Sequence, residues 1–378
     1  MNSEKPMLAV VYIPGQWDSP SFKHRQASTD SLANALGDKG IMVVVEPDQF
    51  FLNIWYRKVK NRRHKLTQKE RANRLIFTPL SLFPAKFLRS ARLRSLNFFL
   101  AKKQLNSFLN KIRSNSTLIS WFYRPEMVKW AGQVDEDILI YECYDSHDSN
   151  LIALSGQGIK ELLGGQENEL ISKADFIFAT SPLLFEKMSR LHNAVYLSRN
   201  AVDVDFFSTA RKAETLVPDW MSSLRRPVIG YLGSLNRFFD IELMLLLAKE
   251  HGDWTFLIVG PENDPSFSSS AGYINFRSLS NVKYIPWLDD EIPNYFKAVD
   301  VCILPWNTNY DFVRFSSPNK LLQYAAMGKP VVSTDIPYCR EYPALTEIAA
   351  TPEEFSGKIK KVLAEESPEK LERSEEHT

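Results

Sequence analysis

The stretch RFSSPNKLLQYAAMGKPVVST, Arg314 to Thr334, sets Lys320 and Gln323 inside an otherwise apolar pattern. Its spacing predicts a helix that begins near Pro318 and Asn319, follows two serines suited to capping, Ser316 and Ser317, and is stopped by Gly328. Lys320 and Gln323 are three apart and share one face of the first turn, while Leu321, Leu322, Ala325 and Ala326 turn toward a core. A cation in the first turn repels the positive end of the helix dipole unless an anion is bound there. These residue types therefore point to a phosphate site.

Other stretches carry polar groups at the ends of apolar runs. In GYLGSLNR, Gly230 to Arg237, Gly233 permits close backbone approach, Ser234 and Asn236 share its loop, and Arg237 adds positive charge. The Gly-x-Gly-x-x-Gly spacing is missing, which argues against a dinucleotide cofactor. Trp287 and Trp306, each just after a proline at a strand end, are placed to flank a base. In ILIYECYDSHDS, Ile138 to Ser149, the acids Glu142, Asp145 and Asp148 and the imidazole of His147 crowd the carboxyl end of a strand, where α/β active sites are built. The loop after the first strand, Pro14 to Gln26, offers Asp18, His24 and Arg25. No Cys-x-x-Cys or paired-histidine spacing suggests a metal, and Cys143, Cys302 and Cys339 read as reduced packing residues.

The elements that would hold these groups alternate between strand and helix. Met7 to Ile13, Ile41 to Pro47, Thr117 to Tyr123, Asp137 to Asp145, Ala174 to Ser181 and Ala194 to Ser198 read as strands of a first parallel sheet. After a loop-like stretch, the rhythm restarts with Pro227 to Gly233, Trp254 to Pro261, Val282 to Trp287, Asp300 to Trp306 and Lys329 to Thr334. The expected fold class is α/β, with two Rossmann-like domains facing a central cleft. Residues 1–205 form the first domain, 206–352 the second, and 353–378 a charged helical segment at whose end the chain looks truncated.

With 378 residues the chain exceeds what one core usually supports, and 44% apolar with 24% charged residues describes a soluble protein. The net charge of +1 hides an asymmetry: Arg57 to Arg113 holds seventeen basic residues against Glu70 alone, which makes +16 there and −15 elsewhere. This stretch, about 55–113, reads as helical, broken at Pro79 and Pro84, and inserted into the first domain. Its cations and interleaved Leu and Phe suit an anionic membrane surface; with no RNA- or DNA-reading motif beside them, nucleic acid is not the expected partner. No secretory signal or apolar span is legible, so the expected location is cytoplasmic, peripheral at the inner membrane face.

The segment SPNKLLQYAAMGKPVVST resembles the donor-binding motif of GT-B glycosyltransferases of bacterial polysaccharide biosynthesis, Ser-Pro-x-Lys-Leu-x-x-Tyr-x-x-x-Gly-x-Pro-Val-Val. It is similar in particular to the glucuronosyltransferase of xanthan assembly and to teichuronic-acid-type enzymes. The resemblance covers nearly all of the second domain. It implies that Lys320 meets the nucleotide diphosphate and Gln323 the ribose, with Ser316, Ser317, Asn319, Gly233, Ser234, Asn236, Arg237, Trp287 and Trp306 around the donor. The link SRNAVD, Ser198 to Asp203, resembles the family's Asn-Gly-Val-Asp, with Ala201 in place of glycine. The larger retaining family of this fold carries two glutamates eight apart; the matching positions are Phe315 and Gln323, which moves the expected mechanism to inversion. Inversion needs one base for the acceptor hydroxyl, and the resemblance gives that role to Asp145, with His147 and Asp148 as runners-up. Asp18, His24 and Arg25 would then border a lipid-linked or polysaccharide acceptor. The implied activity is transfer of a sugar, from a nucleotide donor that is UDP-linked, without a metal or other cofactor. A retaining transferase, a nucleotide-sugar epimerase, and a non-catalytic nucleotide-sugar or nucleic-acid binding protein are the alternatives.

Overall fold

The computed structural model describes residues 5–17, 23–52, 67–71, 73–84, 90–113, 115–147, 157–286 and 291–365. The chain divides into two compact units, Met1–Ser198 and Arg199–Thr378. This division falls seven residues ahead of the boundary expected after residue 205, because the link already bonds to the second unit. Arg199 pairs with Glu341 (2.6 Å) and Asn200 donates to the Ser317 carbonyl (2.8 Å).

The first unit contains β1 (Met7–Tyr12), β2 (Gly40–Val45), β3 (Gln49–Phe50), β4 (Thr67–Arg71), β5 (Arg74–Phe77), β6 (Leu80–Ser81), β7 (Thr117–Phe122), β8 (Ile138–Cys143), β9 (Phe176–Ala179) and β10 (Val195–Leu197). Eight of these form one sheet in the order β10-β9-β8-β7-β1-β2-β5-β4, parallel except for the β4/β5 pair. β3 and β6 pair separately. The short β-branched run of β1 is buried throughout from Leu8, as expected of a central parallel strand covered on both faces. Tyr12 stacks on Phe122 (4.6 Å) and Trp130 (5.6 Å). The chain builds outward from β1 to β5, then returns to β7 on the other side, so its direction reverses between β1 and β7.

The basic stretch departs from the expected helical insert. β5 lies parallel to β2 inside the sheet, and only Ala91–Ile112 is a long helix among the described residues of this stretch. Leu75, Ile76 and Phe77 form a strand-like apolar run too short to stand out among the surrounding charges. Arg74 is 3% exposed, pairs with Asp30 and covers the Trp17 ring at 4.6 Å, so one of the seventeen cations is a core residue.

A buried carboxylate ties the loops at the carboxyl edge of this sheet. Glu46, just past β2, accepts from the Trp17 N–H (2.7 Å) and from the Thr78 hydroxyl (2.6 Å). Glu46→Ala would remove the acceptor shared by the Trp17 N–H and the Thr78 hydroxyl, at a cost of about 2 kcal/mol. Denaturant unfolding should show that loss in the first unit's transition, with the second unit's midpoint unchanged.

The second unit contains β11 (Val228–Leu232), β12 (Thr255–Val259), β13 (Val282–Ile285), β14 (Val301–Leu304), β15 (Val331–Thr334) and β16 (Thr346–Ala349), all parallel in the order β13-β12-β11-β14-β15-β16. The helix Ile241–Glu250 is capped by Asp240 and buries Leu243, Met244 and Leu247 against Ile229, Phe256 and Ile258. The helix Pro352–Ala364, capped by Thr351, contributes Phe355, Ile359 and Val362 to the same core. The segment read as separate after residue 352 is therefore part of this unit up to Ala364.

Candidate functional site

The strand order of the second sheet reverses between β11 and β14, where an open parallel sheet leaves a crevice at the carboxyl ends of its strands. Three segments meet there. β11 runs into Gly233, β14 into Pro305 and Trp306, and the helix Asn319–Ala326 brings Lys320 in its first turn. Gly233 and Gly260, which follow β11 and β12, both adopt φ +150°, a conformation open to glycine. Gly233 donates to the Val259 carbonyl (2.8 Å), and a Cβ at residue 260 would overlap the Gly233 carbonyl. The two strand ends thus close backbone against backbone. A Cβ on Gly233 would in turn overlap Cε of Lys320, so the lysine stem lies directly on this glycine.

Lys320 Nζ sits 4.8 Å from the Trp306 ring centroid and 6.0 Å from that of Tyr231. An aromatic face attracts a cation through its quadrupole, by about 0.5–2 kcal/mol depending on desolvation. The rings are themselves fixed. Trp306 Nε1 donates to the Tyr231 hydroxyl (3.4 Å), which donates to the Ser234 carbonyl (3.1 Å). The Trp306 N–H donates to Thr334 Oγ1 (3.2 Å), and that hydroxyl donates to the Trp306 carbonyl (2.7 Å). Burial pushes the Tyr231 phenol up, which keeps it a neutral donor.

The helix itself is anchored to both strands that frame the crevice. Leu321, Leu322, Tyr324, Ala325 and Ala326 are buried, and the Tyr324 hydroxyl accepts from the Leu232 N–H (2.8 Å) while donating to the Ile303 carbonyl (3.4 Å). Gly328 at φ +68° ends it, with N–H bonds from Gly328 to Ala325 (2.8 Å) and from Lys329 to Tyr324 (2.9 Å). At its start the expected serine caps are absent. Pro318 holds the N-cap position and no side chain caps the first turn. Ser316 Oγ donates to the Phe312 carbonyl (2.7 Å) instead, because the preceding short helix Asp311–Phe315 brings that carbonyl within reach. Asn319 Oδ1 is buried without a hydrogen-bond partner in this structure. Gln323 is half-buried, one turn after Lys320.

Other residues expected at the donor are bonded within the loop. Ser234 Oγ accepts from Asn263 (3.2 Å), and Asn236 Oδ1 accepts from the Phe238 N–H (3.0 Å). Arg237 donates to Asp264 (2.9 Å) and Ser266 (3.4 Å). Trp287 lies outside the described residues. Sequence reasoning gave no role of their own to Tyr231, Tyr324 and Thr334, and passed over Gly260; a glycine directly after a strand, as in IVGP, was the available signal for the last.

In the first unit, β8 leads into Tyr144, Asp145, Ser146 and His147. Tyr144, Ser146 and His147 are buried, whereas Asp145 is half-buried. The His147 ring meets Tyr144 edge-on at 5.1 Å, and Thr180 Oγ1 donates to the Tyr144 carbonyl (3.0 Å). Arg124, just after β7, donates to Glu126 (2.5 Å) and to the Tyr144 hydroxyl (3.5 Å). Burial works to raise Glu126, but Arg124 outweighs it and holds this carboxyl below its ordinary range. Glu142 accepts from the Trp121 indole (3.1 Å). Asp148 and Asp18 lie outside the described residues. His24 and Arg25 fall in the first turn of the helix Lys23–Leu36, their side chains likewise outside. Among the described residues no group of three or more His, Cys, Asp or Glu could hold a metal, and no helix is long and apolar enough to cross a membrane.

Comparison with known proteins finds a family model over part of the chain, a curated relative and solved structures of the same fold. Residues 226–365 match the family model "Glycosyl transferases group 1". The chain is 24% identical over 358 residues to TuaH of Bacillus subtilis, described as a teichuronic acid biosynthesis glycosyltransferase, covering 89% of this chain and 83% of that one. Among solved structures, Anabaena Alr3699/HepE in complex with UDP-glucose aligns with a TM-score of 0.61 at 11% identity, over 97% of this chain and 91% of that one. WaaG, a glycosyltransferase involved in lipopolysaccharide biosynthesis, aligns with a TM-score of 0.58 at 12% identity, over 97% and 93%.

Asp264 gives a test of the loop beside the site. Burial would raise its carboxyl, but Ser266, Arg237 and the Phe267 N–H outweigh that and hold it at about 2, against an ordinary 3.8. A carboxyl depressed in the folded state contributes stability above its unfolded value and loses it as pH falls toward the folded one, here about 2 kcal/mol between roughly pH 4 and 2. Unfolding midpoints followed from pH 5 to 2 should fall more steeply for the wild type than for Asp264→Asn.

Proposed function

We propose that the chain, a glycosyltransferase with the GT-B fold, moves a hexosyl or hexuronosyl group from a UDP-linked donor to a lipid-linked or polysaccharide acceptor, with inversion. The observation that carries the donor half is Lys320, laid over Gly233 and against the face of Trp306 at the strand reversal of the second sheet. A helix start without a side-chain cap, with a lysine in its first turn, is an anion site by charge and by hydrogen-bonding capacity. The diphosphate leaves with its charge balanced by Lys320 and the first-turn N–H groups, while Gln323 takes the ribose and Asn319 accepts from a donor hydroxyl. The UDP complex of HepE and the polysaccharide setting of TuaH support UDP and a glycan acceptor.

Asp145 is the base in this reading. Of the two described base candidates, Asp145 is half-buried whereas His147 is buried. It takes the acceptor proton as the hydroxyl attacks the anomeric carbon, and the sugar–phosphate bond breaks on the opposite face. Phe315 and Gln323, where the retaining family has its glutamates, support inversion.

Lys320→Ala should weaken UDP binding by roughly ten- to a hundredfold, the worth of a charge-assisted contact. Asp145→Asn should bind UDP within twofold of wild type but transfer sugar about 10²- to 10⁴-fold more slowly. Calorimetric titration and a product assay read the two separately. Transfer by Asp145→Asn at the wild-type rate would remove the base assignment.

The acceptor is proposed to be met at the cytoplasmic membrane face. The helix Ala91–Ile112 has no acidic residue; it turns Asn97, Ala101, Leu105 and Leu109 inward and leaves Arg92, Leu96, Phe99 and Lys103 exposed along one stripe. Phe99 is 59% exposed. Cations near an anionic leaflet contribute about 1 kcal/mol each, and the two apolar side chains can enter the interface between them. Flotation with vesicles containing phosphatidylglycerol should be lost with salt and in Arg92→Glu/Lys103→Glu. Equal flotation with neutral vesicles would remove the membrane part alone.

A further inference from the structure

The link SRNAVD plays no part in the reading above, yet it touches the donor helix. We infer that Asn200 is a positioning residue for the nucleotide diphosphate: through its bond to Ser317 it sets the direction in which the first turn of Asn319–Ala326 presents Lys320 and its N–H groups. This rests on the reading of Lys320 as the diphosphate contact.

The Asn200 carboxamide donates to the Ser317 carbonyl at 2.8 Å, across 117 residues of chain. A carbonyl only accepts, so the group that meets it must be the NH₂, which aspartate at the same place cannot supply. Ser317 directly precedes Pro318, the N-cap residue, which has no N–H and no capping side chain. With no cap to fix the first turn from within, the Ser317–Pro318 peptide decides where that turn points. Asn200 holds this peptide from outside.

The link can serve as a fixed point because it is bonded on both sides of Asn200. Arg199 pairs with Glu341 (2.6 Å), and its guanidinium lies 6.0 Å from the Tyr342 ring. Asp203 accepts from the Phe206 N–H (3.0 Å) and caps the helix Val204–Ser208, which packs on Asn319–Ala326. The donor helix is thereby held by the sheet through Tyr324 and by the link through Asn200.

The test compares Asn200→Ala, Asn200→Asp and Arg199→Ala with wild type by calorimetric titration of UDP, donor KM, kcat and thermal midpoint without nucleotide. Loss of one neutral hydrogen bond predicts UDP affinity and donor KM poorer by roughly three- to tenfold in Asn200→Ala. Asn200→Asp should be at least as poor, because it sets a carboxylate against a carbonyl beside an anion site. kcat and acceptor KM should stay within twofold, and Arg199→Ala, which removes one of the bonds that fix the link but leaves the Asn200–Ser317 bond in place, should weaken UDP binding less than Asn200→Ala does. Equal weakening by Arg199→Ala and Asn200→Ala, or a fall in thermal midpoint with UDP affinity intact, would reduce Asn200 to a structural anchor and overturn the inference. If Lys320→Ala weakens UDP binding and Asn200→Ala does not, the inference fails while the donor reading stands. If neither variant weakens it, the donor reading itself fails.

Discussion

A lysine held at the positive end of a helix is the constraint around which the second unit is organised. Both the dipole and the uncapped N–H groups repel Lys320, so something else must hold its side chain over the crevice. The structure supplies an aromatic face 4.8 Å away and a glycine beneath the stem. Neither can be replaced by chance: Gly233 must lack a Cβ, and Trp306 has its ring held by the indole bond to Tyr231 and its main chain held by Thr334. Such an arrangement holds the ammonium group at the strand reversal of the second sheet.

The same logic extends to the backbone. Tyr324 reaches from the middle of the donor helix to Leu232 on β11 and Ile303 on β14, the two strands between which the sheet reverses. Its bonds therefore register the helix against the crevice rather than against one strand. Asp264 and Arg237 then stiffen the loop that follows Gly233, which explains why an arginine beside the proposed phosphate site is bonded to a carboxylate. Its charge was legible in the sequence as a possible ligand contact. That a buried carboxylate lies 27 residues further on and takes it up depends on tertiary structure.

Strands were the most legible features, because buried parallel strands read as continuous apolar runs between Gly, Pro and Asp. β1, β2, β7, β8 and most of the second sheet follow that rule. β5 escaped because Arg74 and its basic neighbours hid a four-residue strand, and β16 because TEIA is too short and polar to register. In the site, Lys320 stood out through a local conflict, a cation at the wrong helix end. The capping by Ser316 and Ser317 was expected from residue type alone. It fails since proline at the N-cap and a nearby Phe312 carbonyl give the chain a different local solution. Asn200 carried a motif but no physical signal, because its partner is a main-chain carbonyl that any residue would provide.

Charge along the chain is likewise redistributed by folding. The seventeen cations between Arg57 and Arg113 are not one surface: Arg74 is enclosed beside Asp30, Lys102 donates to Gln133 (2.9 Å), and Arg113 pairs with Asp137 (3.0 Å). What remains, among the described residues, is concentrated on an acid-free helix whose inner stripe is committed to the sheet and whose outer stripe carries both cations and large apolar groups. A face meant only for water needs neither Leu96 nor Phe99, and a face meant only for an anion in solution needs cations alone. The grouping of Leu96 and Phe99 between Arg92 and Lys103 along one exposed stripe is the observation on which the proposed lipid contact rests.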